Sequence, residues 1–283
     1  MQRVEVRRRA TIVSLIIGGT SLGALTLGAK ATPPAFPPYV QQALAVAAKK
    51  TRVPVLGPLR IPTNMSVYPK DGTFAADVHA TRTQYAVSWW WERRAMPVND
   101  PKIIQASTLL GNPNPLLTIE GTHYSTRAQA RAAVLKNVFN QFTQAIPKTA
   151  THATLATGIT ADVWRQQTLS GPRGKMSPWD NIAWRERGWL IVTAPNAVFY
   201  QDAPHTQRAY ETEAVTWARS LISKVMAPMP GQFGTISVNP AGGVWVKWQR
   251  GRIVYAVYEP YGLSPATTVV GSLYPYAASS RRS

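Results

Sequence analysis

Gln84-Tyr-Ala-Val-Ser-Trp-Trp-Trp-Glu-Arg93 is the stretch that decides the fold class. Tyr85, Val87, Trp89 and Trp91 fall on one face of an extended chain, and Ala86, Ser88, Trp90 and Glu92 on the other, because successive strand residues point to opposite sides. The first set is uniformly large and apolar, so this is a strand with Trp89 and Trp91 in a core. Trp90 is the exception, a large aromatic on the opposite face. With the residues from Thr73 onward, Thr73–Arg93 reads as a pair of strands.

The same signal recurs along the chain. Ile182 and Trp184 lead into Arg185-Glu-Arg-Gly188, and Trp189-Leu-Ile-Val192 leave it; the glycine supplies the left-handed residue of a tight hairpin. A further hairpin runs through Gly243–Trp248, a turn at Gln249-Arg-Gly251, and Arg252–Glu259. Pro115–Glu120 and Leu155–Gln167 are additional strand segments, and Ser170–Pro178 is a basic Gly/Pro-rich loop. Between these groups lie helical patterns. Tyr39–Lys50 is alanine-rich and ends in two lysines that suit its C-terminal dipole. Thr126-x-x-Gln129 is a capping box that opens a helix to about Ile146, with Val134, Val138, Phe142 and Ile146 as its buried stripe and Pro147 as its stop. His205–Met226 places Tyr210, Ala214, Trp217, Leu221 and Val225 on one face, and Ser264–Ala278 reads as a final helix. Hairpins alternating with helices predict an α+β fold: an antiparallel sheet with helices packed on one face. Residues 32–70 read as a Pro-rich spacer and wrapping segment, and 71–279 as the domain, with a division into two subdomains near residue 150 left open.

The first 31 residues have the grammar of an export signal. Arg3, Arg7, Arg8 and Arg9 form a basic head, Ala10–Ala29 carries no charge, Ala29-Lys-Ala31 offers a small-x-small cleavage site, and Thr32-Pro-Pro34 follows. Left uncut, residues 10–29 are long enough to span a bilayer with the arginines inside. Either way the body is expected outside the cytoplasm. The Arg8-Arg9 pair adds twin-arginine export as a second route.

Composition narrows the classes further. The chain of 283 residues has 31 Lys and Arg against 13 Asp and Glu, and no cysteine. Loss of residues 1–31 would remove five of those bases and one acid, so the body stays strongly basic. Without cysteine there are no disulfides, thiolate metal sites or lipid-bearing cysteine. A basic surface draws anions over long range. Export points that attraction at anionic wall polymers and envelope partners, and away from nucleic acid. Scarce carboxylates also suit life in acid, since fewer groups then change charge with pH.

No catalytic motif stands out. The four histidines, His79, His123, His152 and His205, have no metal-ligand spacing, and neither metal nor cofactor is expected. Glu120-Gly-Thr-His123 brings an acid near a histidine in what reads as a solvated loop. Glu92, Glu120, Asp162 and Asp180 lie near strand ends, and nothing selects two of them as a glycosidase pair. The ten tryptophans are the sharper signal. Trp90 and Trp245 fall on the faces opposite the core set, and Lys247 sits beside Trp245. These faces are either the second side of a sheet covered by helices or an exposed platform. Arg127 and Arg131, four apart on a helix, read first as a solvated face. On the platform reading Trp90, Trp245, Lys247, Arg127 and Arg131 are the candidate binding residues.

Asn181–Val192, Met229-Pro-Gly-Gln-Phe-Gly-Thr-Ile236 and Val244-Trp-Val-Lys-Trp-Gln-Arg-Gly-Arg-Ile-Val-Tyr255 follow one another in an order that resembles a group of exported proteins of thermophilic and acid-tolerant Firmicutes, marked by a Trp-x-Glu-x-Gly-Trp hairpin. Met96-Pro-Val-Asn-Asp-Pro101 and Gly121-Thr-His-Tyr-Ser125 extend the likeness from about Tyr39 to Tyr274. The resemblance implies an envelope location and an antiparallel α+β fold, and it carries no functional residues. The reading that follows is a non-catalytic extracytoplasmic protein binding an anionic wall polymer, a glycan or an envelope protein. The alternatives are an exported hydrolase acting on polysaccharide, and a structural or regulatory ectodomain held by an uncut N-terminal helix.

Overall fold

A computed structural model describes residues 35–62, 72–103, 115–136, 138, 145–166, 170–171, 174–175, 179–193, 207–222, 224, 226, 229–231, 233–238, 243–260 and 262–277. The segment read as a signal or anchor, residues 1–31, lies outside these residues. Among the described residues no helix is long and apolar enough to cross a membrane.

The hairpins expected over Thr73–Arg93, Asn181–Val192 and Gly243–Glu259 form as read. Leu56–Pro58, Gly234–Val238 and Leu273–Pro275 are strands beyond those expected, and the run Leu155–Gln167 is parted by a turn at Gly158. β1 is Leu56–Pro58, β2 Thr73–Thr81, β3 Gln84–Glu92, β4 Leu117–His123, β5 Thr151–Ala156 and β6 Ile159–Gln166. β7 (Ser170–Gly171) and β8 (Gly174–Lys175) pair with each other inside the stretch read as a basic Gly/Pro-rich loop. β9 is Trp179–Glu186, β10 Trp189–Thr193, β11 Gly234–Val238, β12 Val244–Arg250, β13 Ile253–Glu259 and β14 Leu273–Pro275. The helices are α1 (Pro38–Lys50), α2 (Arg127–Leu135), α3 (Gln207–Leu221) and α4 (Leu263–Gly271). The β9–β10 turn is left-handed at both Arg187 (φ 49) and Gly188 (φ 83), the geometry a two-residue hairpin turn requires.

Ten strands make one sheet in the order β2-β3-β4-β13-β12-β11-β10-β9-β6-β5. Because β4 pairs with β13, the chain on either side of residue 150 builds the same sheet, and residues 35–283 form one compact unit. One expectation needs correction. The sheet is mixed, since β10 and β11 run parallel. The link between them carries α3, as a parallel pair demands a crossover longer than a hairpin turn.

A second correction concerns the faces. One face packs α1, α3 and α4 over a single core that includes Tyr85, Val87, Trp89, Ile119, Trp184, Ile191, Trp248 and Val257. α2 lies on the opposite face, where Ala130 and Val134 meet Val254 and Phe233. Its N-terminus is the expected capping box, with the Gln129 N–H donating to Thr126 Oγ1 at 3.1 Å and the Thr126 N–H donating to Gln129 Oε1 at 3.2 Å. The helix ends at Leu135 instead of Ile146, with Lys136 extended. Beyond it the chain crosses the sheet, and the Thr235 and Ser237 hydroxyls donate to the carbonyls of Val134 and Val138 at 3.2 and 3.1 Å. Val138 is buried, Ile146 is exposed, and Phe142 lies outside the described residues.

The wrapping segment belongs to the domain. Val40, Ala43, Leu44 and Ala47 of α1 are fully buried. Tyr85 Oη accepts from the Leu56 N–H at 2.9 Å, and the Tyr255 hydroxyl donates to the Pro54 carbonyl at 3.1 Å. Gly121 sits between these two tyrosines in register, where a Cβ would overlap the Tyr85 ring. β14 pairs with β1, so the last helix stops at Gly271 and the chain returns as a strand.

At the β2 edge, Asn99 (φ 66) imitates a neighbouring strand. Its Oδ1 accepts from the Val78 N–H at 2.6 Å, its Nδ2 donates to the Val78 carbonyl at 3.3 Å, and its own N–H donates to the Ala76 carbonyl at 2.9 Å. Asn99→Ala is expected to lower stability by about 1–3 kcal/mol in a urea titration, since it strands edge groups that a side chain now satisfies.

Candidate functional site

Antiparallel register sets out the second face row by row. Ala86, Glu120, Ala256, Lys247 and Thr235 align across β3, β4, β13, β12 and β11. In the next row stand Ser88, Thr118, Tyr258, Trp245 and Ser237. The α2 segment covers Thr235 and Ser237, as their hydrogen bonds show. What remains is a strip floored by small side chains, Ala86, Ser88, Thr118 and Ala256, and bordered by Glu120, Lys247, Trp245 and Tyr258.

Trp245 and Tyr258, opposite each other on β12 and β13, place their rings 4.7 Å apart and tilted by 32°. The Lys247 Nζ lies 5.6 Å from the Trp245 ring and donates to the Lys136 carbonyl at 3.1 Å, so the ammonium also closes the C-terminal end of α2. The Ser88 and Thr118 hydroxyls are joined at 2.9 Å. Glu120 and Lys247 face each other across Ala256, two strand spacings or about 10 Å apart at Cα. They close no ion pair. Burial pushes the Glu120 carboxyl above its ordinary range, and Lys247 partly offsets this. Burial likewise lowers the Lys247 ammonium, with Glu120 opposing and Lys136 adding to the shift. Opposite charges held apart over a half-buried floor, beside two aromatic plates, suit a polar ring compound that stacks on one side and hydrogen-bonds on the other.

The sequence-derived candidates separate here. Trp245 and Lys247 meet in the strip. Trp90 does not join them, since it is 6% exposed and packed against Ala75, Ile103 and Met96. The loop after β3 folds back and lays Ile103 over it, so Trp90 is core on the second face and not a binding residue. Arg127 and Arg131 are exposed on α2, which begins beside the β12–β13 turn, where the Gln249 amide donates to the Arg127 carbonyl at 3.0 Å. The Arg131 guanidinium rests 3.9 Å above the Phe233 ring. Both arginines therefore stand at the turn end, away from Trp245.

Of the strip residues, the sequence reading gives Glu120 another setting and does not single out Tyr258. Glu120 and His123 lie on β4 and not in a solvated loop. Tyr258 was recoverable from the hairpin itself, because a turn at Gly251-Arg252 fixes the register that puts it opposite Trp245. The four acids considered for hydrolysis form no pair in one cleft: Asp162 and Asp180 lie on adjacent strands but on opposite faces of the sheet. β4 is five strand positions from β9 and six from β6, which places Glu120 more than about 20 Å from Asp180 and Asp162. Glu92 lies six residues along β3 from the Glu120 row, again about 20 Å away. A hollow of about 180 Å³ lined by Thr149, Thr151, Trp164, Arg165 and Asp180 holds one carboxylate, where glycoside hydrolysis uses two. Among the described residues no three His, Asp or Glu side chains cluster to hold a metal. His79 and His152 pair instead with Asp77 and Asp162, at 2.8 and 2.9 Å. No protein family, curated protein or solved structure matches the chain.

Proposed function

We propose that this is a non-catalytic extracytoplasmic protein of the cell envelope that binds a wall glycan or anionic wall polymer, with the second-face strip as its sugar-facing part. The observation that carries this reading is the Trp245–Tyr258 pair with the Lys247 ammonium beside it and Glu120 across from it. An aromatic pair offers a face to the C–H side of a sugar ring, while the flanking polar groups meet its hydroxyl or acid substituents. The export grammar of residues 1–31 supports the location. An exported hydrolase is the alternative, and it would require a second carboxylate near Glu120.

The test is co-sedimentation of the full chain with purified cell-wall sacculi over a salt series, with the supernatant assayed for released sugars. Trp245→Ala with Tyr258→Ala is expected to weaken binding about tenfold, the ratio that ~1.4 kcal/mol represents, without release of sugar. Absence of wild-type binding at low salt would overturn the proposal, and sugar release would replace it with the hydrolase.

A further inference from the structure

The hairpin turns gather the bases at one end of the sheet. Backbone hydrogen bonds tie that end into a continuous line: Arg52 N–H to the Arg82 carbonyl (3.0 Å), His123 N–H to Thr83 (2.8 Å), Tyr124 N–H to Arg252 (2.8 Å) and Gln249 N–H to Phe233 (3.2 Å). Phe233 immediately precedes β11, which pairs with β10 beside the Arg187-Gly188 turn. Along this line Arg52, Arg82, Arg252, Arg250, Arg127 and Arg187 are all exposed, from the end of α1 to the β9–β10 turn. The strands between β3 and β9 span six spacings, or about 29 Å. The carboxylate nearest these turns, Glu186, is buried and faces the first core. No acid among the described residues of the turns themselves breaks the row.

At the opposite end Glu92 and Glu259 are buried, and Asp100 lies among the exposed Arg93, Arg94 and Lys102. Helix α1 begins at that end. Phe36 meets Tyr276, and Tyr39 stacks on Phe74, which is opposite Trp91 near the finish of β3. From there the 13 residues of α1 run about 20 Å to Lys49 and Lys50 at the basic end.

We infer that the row of turn arginines is a docking ridge for a linear, phosphate-bearing anionic polymer of the wall, at the end of the sheet opposite the start of α1. This deepens the envelope-binding proposal and rests on its extracytoplasmic location. Guanidinium forks engage phosphate oxygens in pairs, and a row of them rewards a repeating anion more than a single one. The ridge and the strip divide the work, with charge captured along the turns and ring contacts made at Trp245.

The experiment uses the full chain and its Arg82→Ser, Arg187→Asn, Arg252→Ser triple variant. Asn keeps the left-handed backbone at position 187 accessible. Three probes are compared: inorganic polyphosphate, sacculi before and after chemical removal of their phosphate polymer, and vesicles with and without anionic phosphatidylglycerol. Wild type is expected to bind polyphosphate and unstripped sacculi, and the variant at least tenfold more weakly to both, with a shallower dependence on salt. The wild-type salt series does not depend on the variant folding, and binding insensitive to salt would overturn the ridge. A folded variant that binds both polymers like wild type would overturn the ridge and leave envelope binding standing. Polyphosphate bound through the ridge, without binding to sacculi, would uphold the ridge and remove the wall as its partner. Anionic vesicles preferred to polyphosphate in a ridge-dependent way would overturn the assignment in favour of a membrane surface.

Discussion

Glu259→Gln is expected to flatten most of a pH dependence of stability that the wild-type protein shows between about pH 4.5 and 8. Glu259 is the last residue of β13, opposite Val244, and is 1% exposed. Burial pushes its carboxyl up to about 8 from an ordinary 4.5, while the Gly262 N–H works in the other direction by hydrogen-bonding the ionised form. The folded state therefore holds a proton that the unfolded chain has released. Stability from this group is fully present below about pH 4.5 and is lost as pH rises through the folded value near 8. A shift of this size corresponds to a few kcal/mol, at about 1.4 kcal/mol per pH unit. The raised Glu120 carboxyl acts in the same sense. Thermal melts from pH 4 to 9 should show the wild-type Tm falling with pH and the Gln variant nearly level. A level wild-type curve, or an unchanged slope in the variant, would show that Glu259 ionises freely. The direction accords with the composition, since a fold most stable in acid needs few ionised carboxylates.

Trp90→Ala should cost about 3 kcal/mol or more of folding stability and leave the proposed wall binding of the folded protein unaltered. The indole is enclosed by Ala75, Ile103 and Met96, and its removal leaves a cavity that a β-sheet floor cannot close. Surface aromatics of a binding platform behave oppositely, losing affinity with little change in stability. Urea titration read together with sacculus co-sedimentation separates the two. A variant as stable as wild type that no longer bound sacculi would return Trp90 to the binding surface. Trp245→Ala provides the internal contrast, because its ring is only half-buried.

Trp90 also shows where reading by alternation stops. The pattern in Gln84–Glu92 correctly assigned Trp90 to the face opposite Trp89, and it left open whether that face is covered or is an exposed platform. What covers that face is Ile103, brought over it by a loop fixed through Asn99 to β2, a contact between elements that no local period encodes. The helix after Thr126 shows the same division. Its start was legible because a capping box is a local hydrogen-bond pattern. Its end was not, because Leu135 is followed by a crossing over Thr235 and Ser237, about 100 residues further along.

By itself the sequence determined the three longest hairpins with their tight turns, the α+β class, the inward set of aromatics and the basic character of the chain. All of these follow from dihedral preference, two-residue periodicity and composition, which act within a few residues. Tertiary structure alone decided the strand order, the parallel β10–β11 pair, the placing of α2 on the second face, the meeting of Glu120 with Lys247, and the alignment of the turn arginines in one row. Each of these depends on which distant segments pair. That choice is made by burial summed over the whole sheet, which no short stretch of sequence contains.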